Sequence, residues 1–311
     1  MKYYMAPLEG LTTYVYRNAY HKYFRKMDKY FTPFIVPHKE KRFNTRELKE
    51  LSPKHNTGLC VVPQLLTNNA DDFLKTAKDI TDMGYPEINL NLGCPSKTVV
   101  TKKKGSGFLA FPDELDRFLY TIFEKASFKV SIKTRIGTTS SDEFYRLMEI
   151  YNQYPIEELT IHPRIQTDFY QNKPNLEIFE YAYHTSKIPL CYNGDLNSKN
   201  DIQVFTNEFA DIEAVMLGRG ILSNPGLLTS VNKETLLQFH NDILEEYISI
   251  SCGERNVLFK MKELWFYLIS LFNDSDKIYK KIKKTEKLYE YRMLIEQLFF
   301  TCNLRAEEEN T

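Results

Sequence analysis

The feature that most restricts this chain is an alternation. From the N-terminus to about residue 228, short runs rich in β-branched and aromatic residues alternate with longer amphipathic stretches. The runs are residues 3–6, 30–36, 59–65, 87–90, 130–133, 158–162, 189–193 and 214–217. Between several of them, residues 71–83, 113–126 and 141–154 place apolar side chains at helical spacing. A strand, a helix and a second strand in succession imply a parallel pair with a helical crossover. Eight such runs predict an α/β fold, a closed (β/α)8 TIM barrel, with an open doubly wound sheet as the alternative.

After about residue 230 the strand signal stops. Residues 233–250, 255–272, 276–284 and 287–302 read as helices, and in the second of these Val257, Leu258, Met261, Leu264, Trp265, Leu268 and Leu271 recur on one face. The expectation is a barrel over residues 1–230 and a small helical bundle over 231–311, with the acidic end 306–311 frayed. Formal net charge is zero, which counts against a uniformly basic nucleic-acid binder and leaves room for a local basic stripe. The five cysteines include no CxxC pair, so neither a disulfide framework nor a zinc site is expected, and no other metal. Residues 1–7 lack a leader pattern, and no apolar run reaches the roughly 18 residues of a membrane span. A reducing cytoplasm is the expected compartment, with a monomer as the working expectation.

A barrel directs attention to the C-terminal ends of its strands. Seven of the eight runs close in groups that can bond a polar ligand. They are Glu9, Gln64, Asn91, Lys133 with Arg135, His162 with Arg164, Asn193-Gly194-Asp195 and Gly218-Arg219-Gly220. The last two follow the seventh and eighth runs, where barrels usually bind phosphate against a short helix N-terminus. Arg219 offers a forked donor there, and glycines admit close backbone approach, although they also serve tight turns. Lys133 should project into the barrel mouth, where a buried ammonium needs an electron-rich partner or a carboxylate. Cys94 sits in a Gly93-Cys94-Pro95 turn just beyond a strand end, whereas Cys60 and Cys191 fall inside strands and read as packing residues.

Taken together, Ala6-Pro7-Leu8-Glu9-Gly10, Asn91-Leu92-Gly93-Cys94-Pro95-Ser96-Lys97, Gly105-Ser106-Gly107, Lys133-Thr134-Arg135, His162-Pro163-Arg164, Asn193-Gly194-Asp195 and Gly218-Arg219-Gly220 resemble the tRNA-dihydrouridine synthases. The resemblance runs in order along the whole barrel and extends in kind to the helical tail. It implies an enzyme that binds FMN, reduces it with NADPH, and passes hydride to C6 of a uracil in the D-loop of tRNA. Carried over by position, Pro7, Leu8, Glu9, Gln64, Lys133, His162, Asn193, Gly194, Asp195, Gly218 and Arg219 would hold FMN. Cys94 would protonate C5, and Asn91 would hold the flavin or the uracil. Arg135 and Arg164 are further candidates for the substrate side.

Two basic patches complete the expectation. Lys102, Lys103 and Lys104 fall in a loop, 98–107, that reads as flexible and able to close over a bound base. Lys277, Lys280, Lys281 and Lys284 share a helical face that could lie along tRNA phosphates. A flavin barrel acting on a free pyrimidine or an enone, and a non-catalytic RNA-binding barrel, are the competing readings.

Overall fold

The computed structural model describes residues 1–305. Its strands are β1 (Lys2–Met5), β2 (Lys29–Phe31), β3 (Val61–Val62), β4 (Gln64–Leu65), β5 (Glu87–Leu92), β6 (Lys129–Arg135), β7 (Leu159–His162), β8 (Leu190–Tyr192) and β9 (Ala214–Leu217). They pair in the order β3-β2-β1-β9-β8-β7-β6-β5-β4, every pair parallel. The strands β3 and β4 are two halves of one run, parted at Pro63, which has no N–H to give the ladder. One half pairs with β2 and the other with β5, so the two ends of the sheet meet. The result is a closed barrel of eight positions, as the alternation predicts.

The second run is shorter than expected. Pro33 interrupts it after Phe31, and the chain returns to the sheet only as a single bridge from Ile35 to Leu65. Cys60 lies ahead of β3 and is exposed, so it is not the packing residue that its sequence position suggests.

Inside the barrel the two halves differ. Tyr4, Phe31, Val62, Cys191 and Met216 fill one side with apolar contacts. On the other side Gln64, Asn89 and Ser131 form a buried hydrogen-bond chain, with Gln64 donating to Asn89 at 2.8 Å and Asn89 to Ser131 at 2.9 Å. The N-terminal floor is sealed by charge: Lys29 pairs with Glu87 at 2.8 Å, and the Tyr4 hydroxyl donates to Glu158 at 2.7 Å. The open end of the barrel is therefore the C-terminal one.

The helices of the tail are Lys233–Ile250, Glu254–Leu268, Asp276–Lys284 and Leu288–Thr301. Phe239 of the first packs on Tyr16 and Phe24 around the first barrel helix, Tyr14–Tyr23, with ring centroids 5.5 and 5.2 Å apart. One apolar cluster runs from barrel to tail without a break across residue 230, where the secondary structure changes character. Among the described residues no helix is long and apolar enough to cross a membrane, and no group of three His, Cys, Asp or Glu is placed to hold a metal. The segment 306–311, read as a frayed end, lies outside the described residues.

Candidate active site

A cavity of about 160 Å³, open to solvent, sits over the C-terminal ends of the strands. Of the residues expected there, Pro7, Leu8, Glu9, Asn91, Cys94, Lys133, Arg135, His162, Asn193, Gly194, Asp195, Gly218 and Arg219 line it. Gln64, Arg164 and the candidate lysines outside the barrel strands do not. Gln64 lies one layer below, fully buried, where its carbonyl accepts from Asn91 at 2.7 Å. Its structural position is the base of the polar chain rather than the cavity wall.

Lys133 is the group whose environment is least self-contained. It stands on β6, and among the described residues no carboxylate contributes to its electrostatic surroundings. Burial, reinforced by the neighbouring Arg135, lowers its pKa to about 8. The salt bridge that would explain a buried lysine is absent among the described residues. Such an environment suits an electron-rich ligand in the cavity.

Around it the charge is strongly positive. His162 is buried beside Lys133, Arg135, Arg164 and Arg219, and burial first, then these cations, hold its pKa well below the usual imidazole value. Arg164 donates to His162 Nε2 at 2.9 Å, so this nitrogen is the acceptor and the ring proton sits on Nδ1. Among the described residues, the carboxylate hydrogen-bonded to these cations is Asp195. It accepts from Arg164 Nη1 at 3.0 Å and from Nη2, and from Arg219 Nη2 at 2.5 Å. Arg164 also donates to the Asn172 carbonyl, and its side chain is 1% exposed. It is thus a buried strut and does not reach the substrate side as its position in the sequence suggested. Arg219 keeps about a third of its side chain exposed and stands at the start of the short helix Arg219–Ser223, with Gly218 as its N-cap. A Cβ on Gly220 would stand 2.4 Å from the Leu196 carbonyl oxygen, so glycine is needed where these two loops touch. These residues fit a ligand with a phosphate at one end and an electron-rich ring near Lys133.

The turn that carries Cys94 is built from Asn91. The Asn91 side-chain oxygen accepts from the backbone N–H of Gly93 at 3.0 Å and of Cys94 at 2.9 Å, while its amide donates to Gln64. Burial raises the Cys94 pKa, against smaller opposing effects of the Ser96 N–H and Arg135, so the thiol keeps its proton at neutral pH. Arg135 holds the other side of the turn: it donates to the carbonyls of Gly93 at 3.0 Å, Ile165 at 2.8 Å and Phe169 at 2.6 Å. Arg135 is thereby a tie between two loops of the mouth.

The segment 98–107 is not an open loop. It folds into the helix Lys97–Val100 and the 3-10 turn Gly105–Ala110, closed against Cys94. Ser106 donates its N–H and its hydroxyl to the Cys94 carbonyl, at 3.1 and 2.9 Å. Gly105 has φ +56°, and a Cβ there would stand 2.7 Å from that same oxygen. The segment is a clamp for Cys94, and the expectation of a closing flap is corrected. Its lysines diverge too: Lys102 is exposed, Lys103 lies over the Phe111 ring at 4.0 Å, and Lys104 is half-buried with its pKa lowered by that burial. Lys280, Lys281 and Lys284 are all exposed, opposite the buried Ile278 and Ile282.

Four cavity residues escaped sequence reasoning: Phe34, Tyr170, Leu196 and Asn197. The Tyr170 ring lies 4.8 Å from the Arg219 guanidinium and 6.0 Å from the His162 ring. The adjacent aromatic pair Phe169-Tyr170, shortly after a strand end, was the available signal. Glu9 lines the cavity, but its carboxylate is paired with Arg46.

The comparisons agree with this geometry. A family profile described as "Dihydrouridine synthase (Dus)" matches residues 4–308. The tRNA-dihydrouridine synthase B of Pasteurella multocida (strain Pm70) is 24% identical over 80% of this chain and 74% of its own. A probable tRNA-dihydrouridine synthase of Staphylococcus epidermidis (strain ATCC 12228 / FDA PCI 1200) is 24% identical over 97% of this chain and 95% of its own. Among solved structures, a morphinone reductase variant in complex with tetrahydroNAD superposes with a TM-score of 0.51 at 11% identity, covering 76% of this chain and 86% of that one, a likeness of fold. The chain belongs to the dihydrouridine synthase family and is a flavin-dependent oxidoreductase on a (β/α)8 barrel.

Proposed function

We propose that this protein uses FMN, reduced by NADPH, to convert uridine in the D-loop of tRNA to 5,6-dihydrouridine. The observation that carries the reading is the pairing of two groups in one cavity: a protonated Cys94 on a clamped turn, and a Lys133 with no carboxylate partner among the described residues. Bound FMN would supply the hydride that reaches C6 of the uracil. Arg219 and the backbone around Gly218 and Gly194, which line the cavity, would hold its phosphate, and Lys133 would answer negative charge on its ring. An anionic partner there restores the ammonium that burial disfavours.

Cys94 has the complementary task. As C6 gains hydride, negative charge develops on the uracil, and the thiol gives its proton to C5. The C5=C6 double bond is consumed, and the thiolate regains a proton from solvent. Asn91 and Ser106 keep the turn in place through this exchange. The target base leaves the tRNA fold to enter the cavity, since a stacked base cannot reach a group inside a barrel mouth. The exposed lysine face of Asp276–Lys284 supports a polyanionic partner.

A reductase of free pyrimidines or enones needs the same cavity but not that lysine face. The test is to reduce the holoprotein anaerobically with NADPH, then follow flavin reoxidation after adding unmodified tRNA, uracil or a small cyclic enone. Fast reoxidation by tRNA supports the proposal. Reoxidation by the enone or uracil, with none by tRNA, rejects it.

A further inference from the structure

Two phenylalanines on the helix Glu254–Leu268 are left in water. Phe259 is 60% exposed and Phe266 66% exposed. They are seven residues apart, hence on one face and roughly 10 Å apart along the axis. That face points directly away from the core formed by Val257, Leu258, Met261, Leu264, Trp265 and Leu268. Leaving two such rings in water forgoes the burial that a core position would have given them.

Both edges of this exposed ridge are fixed by contacts. On one edge, Lys260 donates to the Gly10 carbonyl at 3.1 Å, and Tyr267 lies within electrostatic reach of Tyr170 and Arg219. That edge is the rim of the active-site cavity. On the other edge, Lys262 donates to the carbonyl of Thr285 at 2.5 Å, the C-cap of the lysine helix Asp276–Lys284. The aromatic ridge therefore lies between the cationic helix and the barrel mouth. A second exposed apolar line, Tyr289, Met293 and Phe300, runs along the last helix with Glu290 and Glu296 beside it, whereas the acidic neighbour on the ridge, Glu263, is paired with Lys260 at 3.1 Å.

We infer that Phe259 and Phe266 are stacking platforms for unpaired bases of the tRNA, which passes from the lysine face across this helix to the barrel mouth. The inference rests on the proposed tRNA substrate. Lysines supply phosphate contacts without regard to sequence, and aromatic rings take bases through their faces. The two contributions respond differently to salt, because stacking releases no counterions whereas each phosphate contact does.

The test uses the full-length holoprotein and unmodified tRNA, with binding measured over a range of salt concentrations. Phe259→Leu and Phe266→Leu should each weaken binding by roughly 5- to 100-fold, with the slope of log affinity against log salt unchanged. Phe259→Trp and Phe266→Trp should retain wild-type affinity, since indole stacks and leucine does not. Replacing Lys280, Lys281 and Lys284 with Glu should instead flatten the slope by roughly 0.7–0.9 per lost contact. Flavin content should stay at wild-type level in every variant. Leucine variants that bind tRNA as the wild type does overturn the inference. So does a leucine variant that changes sedimentation of the protein, because the rings would then be covered by a second copy. A wild type that neither binds tRNA nor forms dihydrouridine overturns the active-site reading and this inference together.

Discussion

Single residues in this cavity divide into those that face the ligand and those that hold others still. Cys94 is of the first kind. Cys94→Ala removes the proposed proton source but leaves Lys133, Gly218 and Arg219 in place, so flavin content and NADPH oxidation should persist while dihydrouridine formation falls by roughly 10²–10⁴-fold. Quantifying dihydrouridine beside flavin occupancy in one preparation checks this, and full tRNA activity in the variant would remove Cys94 from the mechanism. Arg164, Asp195 and Arg219 form a triad with unequal members. Arg164 is 1% exposed, whereas Asp195 and Arg219 are about one-third exposed. Arg219→Ala leaves Asp195 paired with Arg164, so it should lower flavin content with little loss of stability. Asp195→Ala strands a buried guanidinium and should cost on the order of 3 kcal/mol in urea unfolding. Equal destabilisation by both substitutions would show that the triad is not organised this way.

At the scale of elements, the sequence made the scaffold legible and hid the contacts between loops. Alternating runs and Pro63 are visible as letters, and so are the glycines and the cysteine of the Gly93-Cys94-Pro95 turn. The bridge from Asp195 to Arg164 and Arg219 joins loops after three different strands, and no spacing rule predicts it. The segment 98–107 was misread for a related reason. Lys102-Lys103-Lys104-Gly105-Ser106-Gly107 is polar and glycine-rich, as flexible loops are, but these glycines permit close packing on Cys94 and Val100. In the helical tail, periodicity identified Trp265 as core but not its polar partner. The Trp265 Nε1–H donates to the Tyr291 hydroxyl at 2.7 Å, and that hydroxyl donates to His240 Nε2 at 2.7 Å. His240 Nδ1 carries the ring proton and donates it to Asn241 at 2.9 Å. Burial lowers the His240 pKa from 6.5 to about 4. The folded state therefore favours the neutral ring: its contribution is complete above pH 6.5 and is lost as pH falls towards 4. Between pH 7 and pH 5 this site alone should remove about 2 kcal/mol. Urea unfolding of the wild type and of His240→Gln, at both pH values, isolates the effect from that of His162. An identical pH dependence in the two proteins would contradict it.

At the scale of the whole molecule, barrel and tail behave as one body. Phe239 is packed into the first barrel helix, Lys260 is bonded to Gly10 at the cavity rim, and the apolar cluster crosses residue 230 without interruption. Thermal unfolding should accordingly show one transition, with flavin release and loss of helical signal coincident. Two separated transitions would make the tail an independent unit. This union also places an exposed lysine helix and an aromatic ridge beside the candidate site of a chain whose net charge is zero, so the proposed affinity for RNA would be local rather than global. The central claim is that this site reduces uridine within tRNA. Its most direct test is to incubate the holoprotein and NADPH with an unmodified tRNA transcript, digest the RNA and quantify dihydrouridine by mass spectrometry. The account predicts dihydrouridine in the D-loop of the wild-type reaction and its near absence with Cys94→Ala. Steady NADPH oxidation with no dihydrouridine in the wild-type reaction would contradict it.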